Sequence, residues 1–166
     1  MKPFVVLVSD LLYRPAARRP VEVRGAIDSL ALATTTVAQG AQVLVGGVLE
    51  WVEDGVLFTG RAAAPWTGEC RRCLAPVEGQ VDAELRELFW VKPVDDDSFR
   101  VAHESVDLAP MAREAILLDL PMAPLCKADC AGLCVTCGAD LNAGPCDCPE
   151  PDRDPRWAAL DSLRSE

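Results

Sequence analysis

The placement of its cysteines limits what this chain can fold into more than any other feature. All eight fall in two stretches: Cys70 and Cys73 form the pair Cys-Arg-Arg-Cys, while Cys126, Cys130, Cys134, Cys137, Cys146 and Cys148 crowd the region from 126 to 148. Thiolates are soft donors, and a C-x2-C pair followed by glycine, as at Cys134-Val-Thr-Cys137-Gly138, makes a tight turn that aims two sulfurs at one ion. Tetrahedral Zn2+ is therefore the expected ligand, and eight sulfurs suffice for two four-sulfur sites.

Compartment bears on this reading. Before Asp10 the apolar run extends only from Phe4 to Val8, too short for a signal peptide and far too short to cross a bilayer, so a cytoplasmic protein without membrane association is expected. A reducing cytosol disfavours structural disulfides, and the same spacing there points to metal or redox chemistry.

The 166 residues, half of them hydrophobic, can bury a sizeable core and are too apolar for wholesale disorder. The formal charge is −10, and eight thiolates around two Zn2+ would take it to about −14. Such acidity argues against a broad basic surface that tracks nucleic-acid phosphates. Arg14, Arg18, Arg19 and Arg24, joined by Arg71 and Arg72, are the candidate local patch; the alternative is solvated arginines around a proline-rich loop. An acidic body suits a basic protein partner equally well.

Along the chain, Phe4 to Leu12 reads as a strand, broken by the prolines of Tyr13 to Pro20, and Val21 to Ala33 as a strand or a strand and turn. Gln42 to Val52 and Val56 to Trp66 read as a hairpin around Glu53-Asp54-Gly55, with Asp-Gly supplying the turn chemistry. Cys70 to Cys73 would then cap a strand-to-strand connection before Val77 to Trp90, whose alternation is strand-like in part. Lys92 to Ser105, with Asp95-Asp96-Asp97, reads as a flexible, solvated acidic loop.

The spacing of Leu108, Met111, Ala112, Ala115 and Leu118 predicts a helix over 108–120 packed on the sheet, with Asp107 as N-cap and Pro121 as stop. Asp154-Pro155 predicts a short terminal helix carrying Trp157, Leu160 and Leu163. The expected class is thus α+β. A mainly antiparallel β-rich domain over 1–125 with one packed helix precedes a cysteine-rich zinc-binding segment and terminal helix over 126–166.

Catalysis finds little support. A catalytic zinc keeps an open position and a nearby proton carrier, whereas the single histidine, His103, sits in the polar loop. No phosphate-binding loop, nucleophile elbow or H-E-x-x-H pattern is present, and Gly46-Gly47 reads as a strand irregularity or bulge. How the thiols divide stays open. In one partition Cys134, Cys137, Cys146 and Cys148 share an ion and Cys70, Cys73, Cys126 and Cys130 share another. In the rival, Cys70 and Cys73 join Cys134 and Cys137, leaving the C-x3-C and C-x-C pairs together; a third leaves one set as free thiols.

Taken with Cys70 and Cys73, the stretches Ile116-Leu-Leu-Asp-Leu-Pro121-Met-Ala-Pro124, Gly132-Leu-Cys134-Val-Thr-Cys137-Gly138 and Asp154-Pro155-Arg156-Trp157 resemble the YceD family of large ribosomal RNA subunit accumulation proteins. The likeness runs from about Val43 to the end, with Asp140 standing where an asparagine is usual. The resemblance implies a non-enzymatic factor needed for accumulation of 23S rRNA, its metal structural. Its partner would be a ribosomal protein, an assembly factor or precursor 23S rRNA, with no small-molecule substrate. The competing expectation is redox: Cys70 and Cys73 as an exchanging dithiol beside two arginines, or an iron–sulfur cluster on the downstream cysteines.

Overall fold

A computed structural model of the chain describes residues 2–93, 95–149 and 156. The expected terminal helix at Trp157, Leu160 and Leu163, with its Asp154-Pro155 start, lies outside the described residues.

Strands β1 (Val5–Leu7), β2 (Arg18–Ala26), β3 (Leu30–Ala31), β4 (Thr35–Val37), β5 (Gln42–Val52), β6 (Gly55–Glu69), β7 (Pro76–Trp90) and β8 (Ser105–Asp107) precede the helix α1 (Ala109–Asp119). All the strand pairs are antiparallel. The main sheet runs β2-β5-β6-β4-β3; β7 pairs along the whole length of β6, and β1 and β8 form a separate two-stranded ribbon. The structure is thus mostly antiparallel sheet with a single helix among the described residues.

Period-2 patterning explains the central strands. Val43, Val45, Leu49 and Trp51 of β5, Val56, Phe58, Ala62 and Ala64 of β6, and Val81, Ala83, Leu85 and Phe89 of β7 all turn inward. Gly46-Gly47 is not a bulge, because the β5–β6 register passes through it unbroken, Gly47 opposite Gly60. A Cβ on Gly47 would sit 2.4 Å from the Thr59 carbonyl oxygen, and one on Gly60 2.2 Å from that of Gly46; each would also meet the Phe58 ring at 2.9 Å. The two glycines let the strands close over that ring.

The hairpin turn is Glu53-Asp54, with Gly55 already paired to Val52. Gly55 carries no positive φ, and a Cβ there would lie 2.1 Å from the Phe89 carbonyl oxygen, so close approach to β7 rather than turn conformation demands glycine. Strand β2 starts at Arg18 and includes Pro20, which the sequence placed in a break. Only β5 pairs with β2, and an outer edge strand tolerates a residue without an N–H.

The first strand is shorter than expected. Only Val5–Leu7 is paired, after which turns at Val8 and Leu11 fold the chain back with both side chains buried. The segment from Lys92 to Ser105 is tied down: Trp90 N–H donates to the Phe99 carbonyl and Val101 N–H to that of Trp90 (2.9 Å each), and the Phe99 ring lies 5.6 Å from Phe89. Its end is a tight turn in which His103 and Glu104 both take positive φ between Ala102 and Ser105.

Helix α1 packs mainly against β7 and also touches β6 and β3. Leu108 occupies the cap position with helical dihedrals, and Asp107 supplies the acceptor, its Oδ1 taking the Ala109 N–H at 3.0 Å. The buried stripe is Leu108, Met111, Ala112, Ile116 and Leu120; Leu118, expected on it, is 86% exposed. An i, i+4, i+8 row through 108, 112 and 116 faces the sheet, and two residues past Ile116 the helix has turned away. Leu120 is extended ahead of Pro121, which ends the helix.

Candidate metal centre

The β6–β7 connection spans Cys70 to Ala75 and is a compact knuckle. Leu74 N–H donates to the Cys70 carbonyl at 2.9 Å, Cys70 N–H to the Ala75 carbonyl at 2.8 Å, and Leu74 takes φ +60°. The downstream knuckle repeats this bond for bond: Gly138 N–H to the Cys134 carbonyl at 2.9 Å, Cys134 N–H to the Ala139 carbonyl at 2.8 Å, and Gly138 at φ +74°. Leu74 thus holds a backbone conformation that glycine adopts freely and a branched residue resists.

The chain after α1 is laid against the first knuckle by main-chain recognition. Thr34 and Thr35 hydroxyls donate to the Met122 and Pro121 carbonyls (3.0 and 3.2 Å), and Arg71 N–H donates to the Pro124 carbonyl at 2.9 Å. This delivers Cys126 to within 3.6 Å of Cys73, sulfur to sulfur, while Cys130 reaches within 3.8 Å of Cys70. Arg72 fixes the return, its guanidinium donating to the Cys130 carbonyl at 2.8 Å.

The sulfurs gather into two groups, Cys70, Cys73, Cys126 and Cys130, and Cys134, Cys137, Cys146 and Cys148, with all ligand atoms of each group within 4.8 Å of one another. This is the first of the two partitions considered from sequence. All eight thiols are unbridged. A tetrahedral zinc with Zn–S bonds of about 2.3 Å requires sulfurs about 3.8 Å apart, so the contacts of 3.6 and 3.8 Å fit four sulfurs about one ion. Each group could hold a metal ion. The upstream one is anchored in the fold, Cys70 being 0% and Cys130 2% exposed; the downstream one has no buried cysteine.

Without a cation, neighbouring thiols cannot all ionise. Burial raises the Cys70 pKa, but N–H groups of Cys126, Cys73 and Arg72 outweigh it and bring it down to about 6. Backbone donors from Cys137 and Thr136 lower Cys134 to about 6 as well. Their neighbours keep the proton instead: Cys126 is pushed up to about 12, chiefly by Cys130, and Cys148 to about 12, chiefly by Cys137. A divalent cation at the centre of either group would relieve that repulsion.

Sequence reasoning missed Asn142. Its Nδ2 donates to Cys130 Sγ at 3.4 Å and its Oδ1 accepts from Ala131 N–H at 2.9 Å. Asp140 fixes it by accepting from Asn142 N–H (2.9 Å) and Nδ2 (2.7 Å), bonds that also hold the Asp140 carboxyl below its ordinary range. The donation from Asn142 is the leading cause of a lowered Cys130 pKa. The signal that could have exposed the twin knuckles was the repeated Cys-x-x-Cys-x-Ala, at Cys70 to Ala75 and Cys134 to Ala139.

Three arginines of the candidate patch are paired with carboxylates. Arg18 pairs with Glu50 (2.7 Å), Arg19 with Asp10 (2.6 Å) and Arg24 with Glu22 (3.6 Å). His103 belongs to neither thiol group. No helix among the described residues is long and apolar enough to cross a membrane.

The sequence model described as "Large ribosomal RNA subunit accumulation protein YceD" matches residues 58–164, a span that includes every cysteine. An uncharacterized protein of Mycobacterium tuberculosis is 37% identical, the match covering 99% of this chain and 86% of the relative. One from Mycobacterium leprae is 33% identical over 95% of this chain and 79% of its own length. The chloroplastic "Large ribosomal RNA subunit accumulation protein YCED homolog 1" of Arabidopsis thaliana is 29% identical, over 46% of this chain and 24% of the plant protein. No solved structure matches.

Proposed function

The chain belongs to the YceD family of large ribosomal RNA subunit accumulation proteins, and from that premise we propose that it is a non-enzymatic, zinc-binding factor supporting accumulation of 23S rRNA and biogenesis of the large ribosomal subunit. The observation that carries this reading is that the family match, residues 58–164, encloses both four-sulfur groups. The part of the chain held in common with the family is thus also the part a metal would hold together. Cys70, Cys73, Cys126 and Cys130 would bind one Zn2+ and Cys134, Cys137, Cys146 and Cys148 a second, in closed all-thiolate sites of the kind that stabilise folds rather than open a coordination position to substrate.

In this role the metals act as cross-links. The upstream ion would tie the β6–β7 connection to the segment after α1, and the downstream ion would close the loop beyond it, presenting a fixed surface to a ribosomal protein, an assembly factor or precursor 23S rRNA. Support for a protein partner comes from the charge of −10 and from the pairing of Arg18, Arg19 and Arg24 with carboxylates. Depleting the protein should lower large-subunit rRNA relative to small-subunit rRNA, and unchanged subunit profiles in a clean deletion would refute the assignment. Recovery of ribosomal components that survives nuclease treatment would identify a protein contact; nuclease-sensitive recovery would identify RNA.

A further inference from the structure

The two four-sulfur groups are not independent neighbours on a string. Asn142 lies in the loop between Cys137 and Cys146, both members of the downstream group, yet its side-chain amide donates to Cys130 Sγ, a member of the upstream group. The same loop is stitched to the residues just after Cys130: Leu141 N–H donates to the Gly132 carbonyl at 2.9 Å, and Leu133 pairs with Asp140. Leu133 N–H in turn donates to the Arg72 carbonyl at 3.2 Å, inside the upstream knuckle. A closed circuit therefore runs from one thiol group to the other and back, and Asn142 is the member of it that touches a sulfur.

We propose that Asn142 is a positioning residue that couples metal binding at the two sites, so that filling the downstream group tightens binding at the upstream one. The claim rests on the reading of both groups as metal sites. An N–H donated to a thiolate disperses its charge and fixes the direction of its lone pairs, and partners just outside a ligand set commonly change metal affinity about 10–100-fold when removed. The donor is available only while its loop is folded. Closure of that loop by an ion on Cys134, Cys137, Cys146 and Cys148 orders Asn142 before Cys130 is engaged, and thermodynamic reciprocity requires the upstream ion to favour the downstream one by the same factor. Asp140 completes the device by holding both the Asn142 main-chain N–H and its amide group in place.

The test uses the full chain loaded with cadmium-113, whose nuclear resonance separates the two sites, titrated with a competing chelator. In the unaltered protein the downstream resonance reports its own loss and the upstream one its dependence on it. Disabling the downstream site with Cys137→Ser and Cys148→Ser should weaken upstream binding by about tenfold or more. Asn142→Ala should produce a similar loss at the upstream site, displace the upstream resonance and leave the downstream resonance in place, which also shows that the fold survives. Combining the changes should add nothing further. Asn142→Asp, which keeps an acceptor for Ala131 but offers no donor to Cys130, should weaken the upstream site as the alanine variant does. The proposal is overturned if upstream affinity ignores Asn142→Ala and Asn142→Asp, or if the losses from the downstream and Asn142 changes add in full. A chain that binds no stoichiometric cadmium would instead overturn the metal reading beneath it.

Discussion

The sulfur atoms of Cys70 and Cys130, sixty positions apart, lie 3.8 Å from each other in the interior of the protein. The contact joins the end of a sheet hairpin to the segment that follows the only helix of the described residues. Removing one of these thiols should therefore act at a distance.

For Cys70→Ser we expect loss of one metal ion per chain and a stability loss on the order of 3 kcal/mol, seen as a melting temperature lower by about 6–12 °C. Hydrogen exchange should rise at residues 121–130 as well as in the knuckle itself. Exchange confined to residues 70–75 would show that the segment after α1 docks without the upstream site.

Leu74 and Gly138 invite reciprocal substitutions. Leu74 is 60% exposed and sits at φ +60°, so Leu74→Gly gives up little burial and relieves backbone strain, with an expected stabilisation of about 0.5–1 kcal/mol by denaturant midpoint. Gly138→Leu, with nothing within 4 Å of its Cβ position, should cost about 1–2 kcal/mol through its dihedral alone. Equal and opposite packing effects would contradict this account.

Helix α1 offers a direct contrast. Ile116→Ala should destabilise by about 2–5 kcal/mol and Leu118→Ala by less than about 0.5, because the first is buried against the sheet and the second is 86% exposed. Similar losses for both would mean that the helix is rotated from the orientation described.

In metal-stripped protein the thiols set opposing pH trends. Cys70 and Cys134 ionise at about 6 in the fold against an ordinary 9.0, so their contribution to stability is full above about 9 and is lost as pH falls through about 6. Cys126 and Cys148, pushed up to about 12, contribute below about 9 and lose that contribution as pH rises through about 12. Denaturant midpoints should thus rise from pH 6 toward 9 and fall beyond it, and Cys134→Ala should flatten the rise; a midpoint that falls steadily from pH 6 would refute the assignment.

The central hairpin and the helix were legible in the sequence because each rests on local periodicity, whereas the division of the eight thiols stayed open until the fold brought Cys126 and Cys130 against Cys70 and Cys73. Gly55 was read as a turn residue and Gly46-Gly47 as a bulge because glycine signals several things locally; only the facing strands, with Phe89 behind Gly55 and Gly60 opposite Gly47, decide which. Leu118 was assigned to the buried stripe because helical spacing fixes a face to within a residue or so, and the sheet chose the row through Ile116. Asn142 was invisible for a different reason. Its contact with Cys130 depends on how two metal-site loops fold across each other, which no spacing rule encodes.

Native mass spectrometry of the full chain measures the two four-sulfur sites most directly. We predict a species carrying two zinc ions, with Cys70→Ser and Cys137→Ser each retaining one. A chain at its metal-free mass, or one carrying iron and sulfide instead, would contradict it.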